Sequence, residues 1–294
     1  MIVWLFKRLA YFPLPALHRM GSLFGWLAYL FSGAYAERLR QNLGHALEYQ
    51  QGKDGYPENQ FRTLLRDNVA EAGKSVMELA WIWQRPLDEV TASVKHCYGW
   101  EHIETARAQG KGVIVLTPHF GCFELVGLYV AARLPMTCMY RRPRSPALDA
   151  LMHTGRERGH MKLAAADLGG VRQLLKTLKR GEVIGILPDQ VPSNGEGQWL
   201  PFFGRPAYTM TLIERLIETS GAPVMMCHVE RLAHGQGYTM YIEPLLFDTA
   251  HPLSPQMNSA LETVILSRPE QYLWSYNRYK VPRGVQPPAT PEEQ

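Results

Sequence analysis

Between residues 112 and 244 the chain repeats one alternation: a short apolar run, then a polar turn, then a stretch with apolar residues at helical spacing. The runs are "GVIVLT" (112–117), "PMTCMY" (135–140), "MKLAAA" (161–166), "EVIGILP" (182–188), "APVMMCHVER" (222–231) and "YTMYIEPL" (238–245). A run that is apolar throughout has no face to give to water, so it belongs in a sheet covered on both sides. Strands joined through helices run parallel. The expected fold is therefore α/β, with a mostly parallel central sheet flanked by helices. The same constraint says where function lies, because ligands in such sheets gather beyond the carboxyl ends of the strands.

Three of those ends carry polar groups. His119 follows "GVIVLT", Arg141 and Arg142 follow "PMTCMY", and Asp189 with Gln190 follows "EVIGILP". His119 shares the apolar stretch "VIVLTPHFGCFELVGLYV" with Glu124, five positions on. Burying two ionisable groups there is costly unless they are paired. Pro118 ends the strand, Gly121 permits a tight turn, and Glu124 falls in the first turn of the next helix, where the dipole favours a carboxylate. Such a turn folds Glu124 back toward the imidazole, and a carboxylate on one ring nitrogen raises the basicity of the other. The plainer reading is that Glu124 caps the helix and His119 is a hydrogen-bonded core residue. HxxxxE lacks the helical HExxH spacing of a zinc site, so no metal is expected. Cys122, inside the same stretch, reads as a small residue filling the turn rather than a nucleophile. The four cysteines show no CxxC spacing, which suits a reducing compartment without disulfides. Arg141, Arg142, Arg144, Arg156, Arg158 and Lys162 form a cationic cluster suited to phosphates and carboxylates, although a solvated face explains some of them.

Charge divides the chain unevenly. Residues 1–47 hold five basic side chains against Glu37 alone, and the remainder is neutral, giving the net +4 of the whole. A basic, apolar N-terminus on a neutral body points to an anionic membrane surface and away from nucleic acid. From Met20 to Ala36 there is no charged residue. That stretch either crosses the bilayer once or lies in the interface with Trp4, Trp26 and Tyr29 at headgroup depth; a buried soluble helix is the plainer alternative. The expected organisation is a membrane-associating segment (1–47), a catalytic domain (48–282) and a disordered tail (283–294). Within the domain, residues 57–83 read as a helix. "DQVPSNGEGQWLPFFGRPAYT" reads as a long loop with exposed Trp199, Phe202 and Phe203.

HxxxxE after an apolar strand resembles the signature of acyltransferases that make glycerolipids and lipid A. "LPDQVPSNGEGQWLPFFGRPAYTMT" looks like that group's Asp-centred loop, "GRERG" its central Gly-Arg segment, "PEQYLWSYNRYK" its C-terminal signature and "RQNLGHAL" its N-terminal Arg-x-Asn-Leu block. These lie in the family's order from about residue 5 to 282. The chain departs from the glycerolipid branch, which has Glu-Gly-x-Arg where Pro188-Asp189-Gln190 stand here. It is thus identified as a member of the late acyltransferases of lipid A biosynthesis, of lauroyl or myristoyl type.

The resemblance implies acyl transfer from acyl-acyl carrier protein to the hydroxyl of a 3-hydroxyacyl chain on a lipid A precursor, with His119 as base polarised by Glu124. It implies an acyl carrier protein partner, no cofactor, no nucleic acid, and an anionic inner-membrane surface with the catalytic domain facing the cytoplasm. Arg156 is assigned to the oxyanion or a lipid phosphate, Asp189 to ordering Arg156 or a sugar, Gln190 to substrate binding, and Arg142 and Arg278 to phosphate or carrier contact. An acyltransferase acting on another lipid and a non-catalytic lipid-binding protein are the competing readings.

Overall fold

The computed structural model describes residues 2–52 and 56–288. Helices α1 (Ile2–Leu9), α2 (Leu14–Phe31), α3 (Gly33–Gln51) and α4 (Glu58–Gln84) come first, and the short α5 (Leu87–Ala92) follows. The alternating part runs β1 (Val94–Tyr98), α6 (Trp100–Ala108), β2 (Val113–Leu116), α7 (Phe123–Ala131), β3 (Met136–Tyr140), α8 (Pro146–Arg156), β4 (Met161–Ala165), α9 (Leu168–Lys179) and β5 (Val183–Ile186). A hairpin of β6 (Gly197–Phe202) and β7 (Arg205–Met210) precedes α10 (Leu212–Ser220), β8 (Val224–Arg231), β9 (Tyr238–Pro244) and α11 (Leu253–Ser267).

The central sheet has seven strands in the order β1-β9-β8-β2-β5-β3-β4. From β8 to β4 the neighbours are parallel. At the other edge β9 runs antiparallel to β8 and carries β1 parallel to itself. The mostly parallel, helix-covered sheet expected from the apolar runs is thus present. Val113 and Val115 of β2 enter one core, with α4 and α7, while Ile114 and Leu116 enter the other, with α3, α9, α10 and α11. Alternate side chains of a strand point to opposite faces, which is why β2 and β5 are apolar at every position.

The stretch expected to be a loop forms the hairpin. Pro201 and Pro206 face each other in it, as an isolated two-stranded ribbon permits. Phe203 and Gly204 make the turn with φ of 47° and 71°. Phe202 and Phe203 are fully buried rather than exposed. Their backbone projects from the sheet, but their rings pack back onto the core beneath α3 and Trp274. Of the tail, residues 289–294 lie outside the described residues, and the carbonyl of Gln286 accepts a hydrogen bond from Trp199 Nε1 at 2.9 Å.

The N-terminal helices are seated on the α/β body. Gly21 and Gly25 of α2 meet Gly73 of α4 backbone to backbone: a Cβ on Gly73 would come within 1.9 Å of the Gly21 carbonyl oxygen, and one on Gly25 within 2.1 Å of the Val69 carbonyl oxygen. Only glycine allows this approach. The uncharged stretch from Met20 to Ala36 is not one helix, because Ser32 is extended and separates α2 from α3. Among the described residues no helix is long and apolar enough to cross a membrane. The face of α1 and α2 turned away from the body is nevertheless apolar: Trp4, Leu5, Leu23, Phe24 and Leu27 are exposed, Leu30 is 69% exposed and Phe31 84%.

Candidate active site

Leu116 of β2 pairs with Ile186 of β5, and His119 and Asp189 each lie three residues beyond their member of that pair. Parallel register therefore brings the two side chains together at one rim. Asp189 Oδ2 accepts the backbone N–H of His119 at 2.8 Å, and Asp189 Oδ1 lies 2.8 Å from His119 Nδ1. Asp189 is 2% exposed. Burial pushes its carboxyl up, but the His119 imidazole, the two hydrogen bonds from His119 and the Arg278 guanidinium together hold it below the usual carboxylate range. An ionised Asp189 keeps the proton on Nδ1 and leaves Nε2 as the free base, toward which the Gln190 amide donates at 3.0 Å. Phe123 packs on the imidazole with ring centres 4.7 Å apart.

Glu124 does not turn back to the imidazole. Its Oε2 accepts from Trp83 Nε1 at 3.0 Å and from Arg156 Nε at 2.8 Å, and its Oε1 accepts from Arg156 Nη2. The reason is geometric: α8 delivers Arg156 directly beside the first turn of α7, and a bidentate guanidinium outcompetes a single imidazole nitrogen for a buried carboxylate. Burial opposes the charge on Arg156, and Glu124 restores it, leaving the guanidinium's pKa above its ordinary value. Gly155 permits the arrangement, since a Cβ there would strike Trp83 at 2.4 Å. Arg158 closes the same segment by donating to the carbonyls of Ile82 and Arg85 at the end of α4. "GRERG" is thus a brace between α8 and α4 that aims one arginine.

His119, Gln190 and Arg156 line a cavity of about 530 Å³. Its walls are mainly apolar and come from Met139, Ile186, Val191 and the facing sides of α9 and α10. Arg141 and Arg215 stand among its polar lining.

Two expected contacts fall elsewhere. Arg142 is 71% exposed and 3.7 Å from Asp149, and it is Arg141, one residue earlier, that lines the cavity. Arg278 is 3% exposed and donates to the Tyr208 carbonyl and Thr209 Oγ1, each at 2.7 Å, so it supports Asp189 from below and cannot touch a carrier. Nor does Asp189 order Arg156, because its oxygens are taken by His119. Cys122 is buried and its thiol is pushed far up by burial, the wrong direction for a nucleophile.

The remaining sequence blocks hold the site from outside. Leu273 N–H donates to the His119 carbonyl at 3.1 Å and Gly121 N–H to the Gln271 carbonyl at 3.0 Å. The Tyr276 hydroxyl accepts the Val191 N–H at 2.9 Å. Asn42, from the Arg-x-Asn-Leu block, donates to the carbonyls of Trp274 and Tyr276, and Asn68 of α4 to those of Glu270 and Tyr272. Trp83 and Asn68 carry no mark in the sequence, since each lies inside an ordinary amphipathic helix.

Residues 1–281 match the family described as bacterial lipid A biosynthesis acyltransferase. The chain is 29% identical over 292 residues to the lipid A biosynthesis lauroyltransferase of Escherichia coli K12, covering 97% of this chain and 91% of that one. It is 27% identical over 290 residues to the palmitoleoyltransferase of the same organism, covering 95% and 89%. To the myristoyltransferase it is 26% identical over 196 residues, covering 64% and 60%. With His119 and Arg156 lining one apolar cavity and the family match running over residues 1–281, the chain belongs to the bacterial lipid A biosynthesis acyltransferase family.

Proposed function

We propose that the protein moves a fatty acyl chain from acyl-acyl carrier protein to the hydroxyl of a 3-hydroxyacyl chain on a lipid A precursor, with His119 as general base. The observation that carries this reading is the imidazole itself, with Nδ1 held by a buried carboxylate and the ring lining a largely apolar cavity. His119 Nε2 takes the hydroxyl proton as the oxygen attacks the thioester carbonyl. The tetrahedral oxyanion needs a preorganised donor, and Arg156, a lining residue that Glu124 holds in place, is the cation assigned to it. Collapse breaks the carbon–sulfur bond and the departing thiolate recovers the proton from Nε2. No enzyme thiol or hydroxyl is acylated, and no cofactor takes part.

The walls supplied by α9 and α10 suit the acyl chain. Both helices leave the rim and run back along the sheet, so Leu175 and Thr219, each seven residues below Leu168 and Leu212, lie roughly 10 Å deeper. The test is purified enzyme with a lipid A precursor and carrier thioesters of graded length, read by mass spectrometry. One acyl group should be added, and Thr219→Trp should shift the preferred chain shorter. A precursor left unacylated by every thioester would instead favour another lipid acceptor.

On this reading the protein sits on the inner membrane with the catalytic domain facing the cytoplasm, where the carrier protein resides. The exposed apolar face of α1 and α2, with Lys7, Arg8 and Arg19 beside it in sequence, supports interfacial attachment. The double change Leu30→Ser with Phe31→Ser should weaken binding to vesicles containing anionic lipid at unchanged thermal stability. Undiminished binding would remove the role given to this face.

A further inference from the structure

A second group of buried charges lies outside the machinery described so far. The side chains of Glu78, on α4, and Arg231, the last residue of β8, are each 2% exposed. Arg231 Nε lies 3.0 and 2.9 Å from the two Glu78 oxygens, and its Nη2 2.6 Å from Oε1. Burial drives the Glu78 carboxyl up, yet Arg231 and His18 bring it down to about 2. Tyr238 donates to Glu78 Oε2 at 3.0 Å, and His18 Nε2 of α2 lies 3.2 Å from the same oxygen. Glu71 takes the remaining Arg231 nitrogen at 3.2 Å. Apolar side chains of similar volume often stabilise as well as such a pair, so stability alone is a weak reason to have it.

What an apolar replacement could not supply is the bond Arg231 makes with its other Nη2 proton. That nitrogen also donates to the carbonyl of Gly121, two residues after His119. Gly121 has φ of 52°, and a Cβ on it would come within 1.8 Å of the Val229 carbonyl oxygen. Cys122 N–H donates to that same carbonyl at 3.0 Å. Gln271, whose own carbonyl holds Gly121 N–H, accepts the Arg231 N–H at 2.8 Å through its side chain and returns a bond to the Arg231 carbonyl at 3.2 Å. The turn that carries the imidazole is therefore gripped on both sides by one group of residues.

We propose that Arg231, anchored by Glu78, is a positioning residue for His119: it fixes the Gly121 carbonyl and so the angle at which the imidazole stands between Asp189 and the cavity. Because His18 shares the Glu78 carboxylate, the seat of α2 belongs to the same device. The inference rests on His119 being the base.

The test is steady-state kinetics of full-length Arg231→Lys in the acyl transfer assay. A lysine keeps the charge beside Glu78 but lacks the planar fork that reaches the carboxylate and the Gly121 carbonyl together. The expected result is a loss in kcat of about 10- to 100-fold, as for a displaced catalytic group, with KM for both substrates within about twofold of its starting value. Ile103→Ala, a cavity in α6 packed under β9, provides a comparison with lowered Tm and an intact turn. Equal kcat losses in the two variants at matched distance below their Tm would overturn the proposal. Should Arg231→Lys not fold, Gln271→Met removes the two side-chain bonds that fix the Arg231 main chain while leaving the charges in place, so that the guanidinium is displaced from the Gly121 carbonyl, and full turnover in that variant would overturn the proposal equally. His119→Ala, run alongside, separates the two readings: if it stays active the base assignment fails, and if it is dead while Arg231→Lys is unimpaired only the positioning role fails.

Discussion

Asp189→Asn should leave the protein folded and cut kcat by roughly 10³-fold or more, a loss comparable with that of His119→Ala. Asp189 accepts two hydrogen bonds from the same residue, one from the His119 main chain and one from Nδ1. An asparagine offers one acceptor and one donor. Its oxygen goes to the main-chain N–H, which has no alternative, and its amide then faces Nδ1. To accept that bond Nδ1 must give up its proton, and the proton moves to Nε2. The imidazole is still present and in place, but in the tautomer that cannot take a proton from the acceptor. Rates of acyl transfer measured beside a circular dichroism melt check this. Near-normal turnover at normal stability would remove Asp189 from the mechanism.

Glu124→Ala should do the reverse in proportion: a smaller loss of turnover than His119→Ala, with a larger loss of stability. Among the described residues Glu124 is the only carboxylate holding Arg156, and it also satisfies Trp83 Nε1. Removing it strands a guanidinium that is mostly buried, a change that costs about 3–5 kcal/mol. Turnover falls because Arg156 is no longer aimed at the oxyanion, whereas the base keeps its orientation through Asp189. Glu124→Gln, which preserves the bond from Trp83 and one from Arg156, should recover most of the stability and only part of the rate. Chemical denaturation and initial rates on the three variants decide it. A rate loss for Glu124→Ala equal to that for His119→Ala would mean that the two residues share one task.

The location of this site was legible in the sequence for a definite reason. His119 and Asp189 follow two apolar runs that read as strands of one covered sheet, with polar groups at its carboxyl rim; that these two strands are parallel neighbours, so that equal offsets set the side chains together, is seen only in the structure. The partner of each carboxylate was not legible. Arg156 and Trp83 reach Glu124 across 32 and 41 residues of chain, and nothing in HxxxxE spacing encodes which buried base gets there first. Arg278 was misread for the same reason: a signature marks a residue without saying whether it faces solvent or supports the floor. Strand β1, "VKHCY", is only half-buried and alternates too weakly to announce itself. The β6–β7 hairpin was hidden by its prolines, which forbid a central strand but not a two-stranded ribbon. The N-terminal stretch showed its composition but not its break at Ser32, nor the glycines that seat it.

Those glycines have a further consequence. Since α2 rests on α4 with backbone against backbone, the helices that the proposed attachment gives to the lipid and the body that holds His119 share one interior. On the proposed attachment α2 is fixed directly to the body. The height of His119 above the headgroups is then a built dimension of the molecule, as fixed as the spacing of its strands. The acceptor has to rise to that height, and any hydroxyl carried deeper in the bilayer passes beneath the base unmodified.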